Sequence, residues 1–323
     1  ITVDEILAHA ARYAADGADV IDIGCLPATP FPHLEDAVRE LRAAGYRVSV
    51  DSLDSKDLAR GIAAGADYVF SLTGRTLDLV ADSACTPVLI ARQPGDLDDL
   101  CRTVETFAAT GRPFYADPVL DPIHHGFTRS VGRYATLRER YPDCPMLMGI
   151  GNLSELTHAD TLGLNTLLMG IVSELGITAV LTTEVSRHCV SVVREVDRAR
   201  RVMFAAREDN MPPRHIDESL LALHERKPFP YSAAEIAEFA SQVGDDNFRI
   251  QVSAEGFHIY NRQGLHTATD PYDVFDKLNV QADGAHAFYL GLELARAQIA
   301  WQLGKRYDQD EELGWGCVRP KAS

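Results

Sequence analysis

The chain has 323 residues, 46% of them apolar, which is enough for one large α/β domain and a smaller one and excludes a disordered chain. Against 31 Lys and Arg stand 47 Asp and Glu, and the formal net charge of −16 repels nucleic acid and anionic membranes at long range, so any phosphate must be held locally. No apolar run approaches the ~20 residues that cross a bilayer, and no leader peptide is expected before the first helix.

The scattered cysteines Cys25, Cys85, Cys101, Cys144, Cys189 and Cys317 form no C-x-x-C pair, so reduced thiols and a cytoplasmic setting are expected.

The first element, VDEILAHAARYAADG, is amphipathic at helical spacing, opens on a Thr2/Glu5 capping box and stops at Gly17. ADVIDIGC follows as an apolar run suited to a strand buried on both faces. The unit then repeats: HLEDAVRELRAAG before YRVSVDS, DSKDLARGIAAG before ADYVFSLT, and a helical segment at LDLVADSA before TPVLIAR. LDDLCRTVETFAATG precedes PFYADP, TRSVGRYATLRERY precedes PMLMGIGN, and TLGLNTLLMGIVSELG precedes ITAVLTTE. Helices that end near Gly ahead of Val/Ile/Leu-rich runs indicate βα units around a parallel sheet, with seven strands visible. A closed TIM (β/α)8-type barrel needs eight. The simplest expectation is that its first strand lies upstream of Ile1, the alternatives being a strand donated by the C-terminal region or another subunit, or an open doubly wound sheet.

Around residue 208 the pattern changes, giving a barrel over 1–207 and a C-terminal α+β appendage over 208–323. MPPRH breaks the chain, ESLLALHE and SAAEIAEFASQVG read as short helices, and Ser232 with Glu235 makes a second capping box. FRIQVSAEGFHIYNRQGLH alternates like a hairpin or small meander, and AHAFYLGLELARAQIAWQLGKRY reads as a long amphipathic helix.

In a βα barrel the chemistry sits at the C-terminal ends of the strands. That rule selects Asp22, Asp51, Ser71, Arg92, Asp117, Asn152 and the Thr182-Thr183-Glu184 run. Each has a structural alternative: Asp51 as a helix cap, Asp22 satisfied within the barrel, Asp117 in an ordinary turn before Pro118, Asn152 in a left-handed conformation. Carboxylates and an amide delivered from separate strands to one ring would suit a flat heterocycle rich in N–H donors, and would be costly to leave unpaired.

GADVIDIG, VSVDS and YADP resemble, in order and spacing, the pterin-binding barrel family of dihydropteroate synthases and methyltetrahydrofolate:corrinoid methyltransferases, over roughly residues 3 to 205. MLMGIGNLSELTHAD and LTTEVS resemble the dihydropteroate synthase-like proteins of methanogens and methylotrophs, often linked to tetrahydromethanopterin metabolism. The resemblance implies that Asp51 contacts the pterin and that Asp117 pairs with its amino-pyrimidine edge, two charge-assisted bonds fixing the ring. Phe70 and Ser71 stand where the synthases carry Asn-Asp, Gly151-Asn152-Leu153 replaces a Ser-Arg-Lys segment, and LTTEVSRH replaces Arg-x-His. Asn152 and YADPVLDPI are closer to the methyltransferases, whose asparagine interacts with pterin N5.

The implied reaction is C–N bond formation between a dihydropterin-methyl diphosphate and an arylamine in a small-molecule transferase. Asp51, Asp117 and Asn152 would be catalytic. Asp22, Ser71, Arg92, Asp121, His124 and Arg187 would bind substrate, Asp121 mainly by shaping its loop, and Mg2+ would accompany the diphosphate. Adjacent His124 and His125 lack a spaced third ligand, so no dedicated metal site is expected. The alternatives are methyl transfer from a methylpterin to a corrinoid and a pterin-binding protein without turnover. A homodimer is the expected assembly.

Overall fold

In the computed structural model, which describes residues 1–319, the chain divides into two compact units, Ile1–Ile216 and the part from Asp217 onward. The first unit runs α1 (Val3–Ala15), β1 (Ile21–Gly24), α2 (Leu34–Ala43), β2 (Val48–Asp51), α3 (Ser55–Ala64) and β3 (Tyr68–Leu72). It continues with β4 (Thr86–Leu89), α4 (Leu97–Ala108), β5 (Tyr115–Ala116), α5 (Phe127–Arg140) and β6 (Leu147–Gly149). The last elements are α6 (Gly151–Ser154), α7 (Thr161–Glu174), β7 (Ala179–Leu181) and α8 (Val192–Glu208).

All seven expected strands are present and parallel. β1 to β5 form one sheet in chain order, β6 pairs with β7, and a parallel bridge from Ala116 to Met146 joins the two sets. Among the described residues no pairing of β7 with β1 closes the ring. The interior is filled by Phe70, Val88 and Leu147, with Tyr68, Tyr115, Ala179 and Leu181 against them. These are inward positions of strands in which Val48, Val50, Val69 and Leu89 face the helices and are fully buried.

The alternation of strand and helix is set by local stops. α3 begins at Asp54, whose side chain accepts from the Lys56 amide, and ends at Gly65 with φ 98°, where a Cβ would be strained. Gly61 lets that helix close on β2: a Cβ there would lie 2.8 Å from Val50 Cγ2. Gly61→Ala is therefore expected to cost about 1–3 kcal/mol of stability by overpacking, read as a lower midpoint in urea with an unchanged slope.

Two helical expectations change. The LDLVADSA segment is a single 3-10 turn at Leu77–Val80, too short for a barrel helix. ESLLALHE forms turns because its backbone is claimed by its own unit: the Ser219 carbonyl accepts from the Cys317 amide, that of Ala222 from Lys305 Nζ, and the Glu225 amide donates to Gly304. The unit boundary also lies past 207. Residues after α8 turn back on it, the Met211 amide donating to Ala206.

The second unit contains α9 (Ala233–Ser241), β8 (Arg249–Ser253), β9 (Gly256–Asn261), β10 (Gly264–Ala268), α10 (Tyr272–Phe275) and α11 (Gly284–Leu303). The strands form an antiparallel meander, and α11 packs Leu290, Leu294, Ala297 and Ala300 against Ile250, Val252, Phe257 and Ile259. The Gln309 amide accepts from Ile250 N and donates to the Phe248 carbonyl, so it seals the outer edge of β8. Ser232 and Glu235 form the expected capping box.

Candidate functional site: three carboxylates in the barrel mouth

Ladder bonds at the strand ends fix which residues share the rim. Cys25 N donates to the Asp51 carbonyl, Ile90 N to Leu72, Asp117 N to Leu89 and Ile150 N to Leu181, at 2.8 Å in each case. Asp51 and Asp117 therefore stand at the same end of the barrel, with β3 and β4 between their strands. In register, Asp22 lies opposite Ser49, one inward step below the Gly24–Asp51 pair.

Asp22 accepts from Ser49 Oγ at 2.5 Å. Desolvation is the largest influence on its carboxyl; the Ser49 bond opposes it, the charge of Asp51 adds to it, and the result is a pKa pushed up to about 7. Asp51 accepts from Ser71 Oγ at 2.7 Å, and desolvation still holds its pKa above the ordinary carboxylate value. Ser71 has φ 65°, and the β3–β4 register shifts between Val69 and Leu72, so a bulge aims the hydroxyl at Asp51.

Asp117 receives the buried Tyr134 hydroxyl at 2.5 Å and the Val119 amide at 2.8 Å, both on Oδ1. Oδ2 is left toward Gly149, 4.0 Å from where a Cβ would stand on that residue. Desolvation pushes the Asp117 pKa up to about 6; the Tyr134 and Val119 bonds oppose it, Asp51 raises it further and Arg133 lowers it. Asp51 is thus felt electrostatically by both Asp22 and Asp117. Three carboxylates with raised proton affinity toward one end of the barrel suit a ligand that offers N–H donors or positive charge.

The loop after β5 is held in an unusual shape. Val119, a β-branched residue, has φ 65°. Arg133 fastens it by donating to the carbonyls of Pro118 and Val119 and to Asp121 Oδ2. Asp121 N also donates to Ser130 Oγ. Asp121 is occupied with the loop, while His124, at φ 67°, and His125 are exposed beyond it.

Asn152 lies on α6 and spends an amide hydrogen on the Leu120 carbonyl at 2.8 Å, tying the β6 loop to the β5 loop. Arg92 and Arg187 are exposed in the β4 and β7 loops. Glu184 is turned away, paired with Arg12 and accepting from Val193 N, so it joins α1 to α8. Tyr134, Ser49 and Arg133 were not singled out in the sequence. Tyr134 reads as an apolar-face residue of α5, and the only hint is that a buried tyrosine hydroxyl needs a partner.

Among the described residues no group of three or more His, Cys, Asp or Glu side chains is placed to hold a metal ion. Nor is any helix long and apolar enough to cross a membrane. All six cysteines are thiols, and five are buried.

Residues 2–116 match the family of pterin binding enzymes. An uncharacterized protein of Methanocaldococcus jannaschii is 27% identical over 93% of this chain, and the chain spans only 65% of that relative's length. Among solved structures, dihydropteroate synthase of Yersinia pestis with a pterine-sulfa conjugate superposes with a TM-score of 0.50 at 21% identity, covering 64% of this chain and 90% of that one. The Burkholderia cenocepacia dihydropteroate synthase complexed with 7,8-dihydropteroate gives 0.50 at 19% identity, covering 65% and 89%. The matched residues run from α1 to the end of β5 and include Asp22 and Asp51, Asp117 follows directly after them, and the first unit shares the fold of the dihydropteroate synthases.

Proposed function

We propose that the barrel is a transferase that condenses a dihydropterin-methyl diphosphate with an arylamine, in a pathway of the tetrahydromethanopterin type. The observation that carries this reading is the arrangement of Asp51 and Asp117 at one mouth, with Asp117 Oδ2 left over after Tyr134 and Val119 have taken Oδ1. Two adjacent N–H groups of a pterin pyrimidine edge would bond to Asp117, and Asp51 would face the rest of the ring. The arylamine nitrogen attacks the pterin methylene, the C–O bond to diphosphate breaks with its electron pair leaving on oxygen, and the amine proton passes to solvent. Positive charge that builds on the pterin in this step is stabilised by carboxylates already in place. Arg92, Arg187 and His124, exposed around the rim, are the candidates for the departing diphosphate, and Mg2+ belongs to the proposal only as that substrate's companion ion.

Methyl transfer has less support. The Asn152 amide that would act at pterin N5 is engaged with Leu120. The test supplies the chain with a dihydropterin-methyl diphosphate and 4-aminobenzoate or its ribosylated derivative, and follows pyrophosphate release and the coupled product. Release with product supports the transferase. Demethylation of a methylpterin by a cobalamin protein would replace it with the second reading, and pterin binding without either activity would replace it with a binding protein.

A further inference from the structure

The segment after β6 is a hub that ties together the loops on either side of it. Asn152 reaches the β5 loop, and the next residues reach the β7 loop. The Ser154 carbonyl accepts from His188 Nε2 at 3.0 Å and from Cys189 Sγ at 3.3 Å. Glu155 Oε1 accepts from Val185 N at 2.8 Å and Thr183 Oγ1 at 3.0 Å, and Oε2 accepts from Ser186 N at 2.9 Å. Two consecutive backbone amides and a hydroxyl thus converge on one carboxylate, in the loop after the last strand.

Converging amides in a turn make an anion-binding concavity, and in βα barrels the loops after the last strands are a frequent place for a phosphate group. Here the concavity already contains a negative group belonging to the protein. Burial alone would push the Glu155 pKa up, but the bonds from Ser186, Val185 and Thr183 outweigh it and hold the carboxyl below its ordinary value. The fit is close on the other side too: a Cβ on Gly151 would come within 2.8 Å of Thr183 Oγ1.

We propose that Glu155 is a specificity-determining residue: its carboxylate is a built-in anion that fills a phosphate-class subsite in the β7 loop and keeps phosphate and diphosphate groups out of it. A tethered carboxylate competes at high effective concentration with any free anion. The consequence for the transferase reading, on which this part rests, is that the diphosphate is received on the β4 and β5 side, by Arg92 and His124, and not by the amides of the β7 loop. The anion exclusion itself stands or falls without any turnover.

The experiment titrates inorganic phosphate and pyrophosphate into the full chain, Glu155→Gln and Glu155→Ala, and follows heat and the backbone amide resonances of Val185 and Ser186. The wild type is expected to show no shift of those two amides. Glu155→Ala is expected to bind at least tenfold more tightly than the wild type, with both amides moving on saturation. Glu155→Gln keeps the side-chain shape, loses the charge and is expected to fall between them; it also decides the matter if the alanine variant does not fold. Unchanged affinity and unmoved amides in a folded variant, or saturable shifts of the same amides in the wild type, would overturn the proposal. A pterin that fails to bind while the variant gains phosphate would remove the transferase reading and leave the role of Glu155 intact.

Discussion

Asp117→Asn is expected to weaken pterin binding about a hundredfold or more while leaving the fold in place. Asparagine keeps an oxygen for the Tyr134 hydroxyl and the Val119 amide, so the loop after β5 retains its anchors. The other atom becomes an NH2 group directed toward Gly149, the side on which Oδ2 is available now. It would meet the pterin N–H groups donor to donor. Losing two charge-assisted hydrogen bonds of about 1.5–3 kcal/mol each, in a desolvated site, gives the expected magnitude. The quantity to measure is the dissociation constant of a pterin, followed by its fluorescence, with urea midpoints showing that stability is little changed. The pH dependence should change with it. With the Asp117 pKa pushed up to about 6, wild-type affinity should fall as pH drops through about 6, because protonation removes the acceptor. In the asparagine variant that fall should vanish.

Asp22→Asn should stabilise the protein at alkaline pH and do little at acid pH. The folded-state pKa of Asp22, about 7, lies above its ordinary value of 3.8, so the folded state binds the proton more tightly than the unfolded chain does. The contribution to stability is therefore complete below pH ~4 and is lost progressively as pH rises to about 7. At about 1.4 kcal/mol per tenfold change in proton affinity, the loss is on the order of 4 kcal/mol at most. Asparagine is never charged and can still accept from Ser49. Urea denaturation at pH 8 should show the variant more stable by about 1–4 kcal/mol, and at pH 4 the two proteins should be close. A variant less stable at pH 8 would mean that ionised Asp22 is held by contacts stronger than the Ser49 bond.

The legibility of this protein in its sequence followed the range of each interaction. The seven parallel strands were readable because each is a short apolar run between helices that end at local stops such as Gly65. Rim residues at the strand ends, Asp51 and Asp117 above all, followed from chain position alone once the barrel was assumed. What they touch did not follow. Tyr134 reaches Asp117 across 17 residues and Ser49 reaches Asp22 across 27, and neither pairing leaves a local signature. Asp121 and Asn152 bear the residue types expected at a site, yet Asp121 Oδ2 is paired with Arg133 and an amide hydrogen of Asn152 goes to the Leu120 carbonyl. Glu155 carries no site signal in the sequence because it lies six residues beyond the end of β6, at the close of a helical turn where a glutamate is ordinarily solvated. ESLLALHE departs from its helical pattern because helical propensity is weak beside tertiary hydrogen bonds that claim the backbone.

The proposed chemistry needs a planar, nitrogen-rich ring lying between acidic side chains from separate strands. A crystal structure of the chain with 6-hydroxymethylpterin tests it most directly. The expected result is a bicyclic ring in the barrel mouth whose pyrimidine N–H groups lie within hydrogen-bond distance of Asp117 Oδ2, with Asp51 facing the same ring. A pterin bound elsewhere on the molecule, or bound in the mouth with both carboxylates turned away from it, would contradict the account.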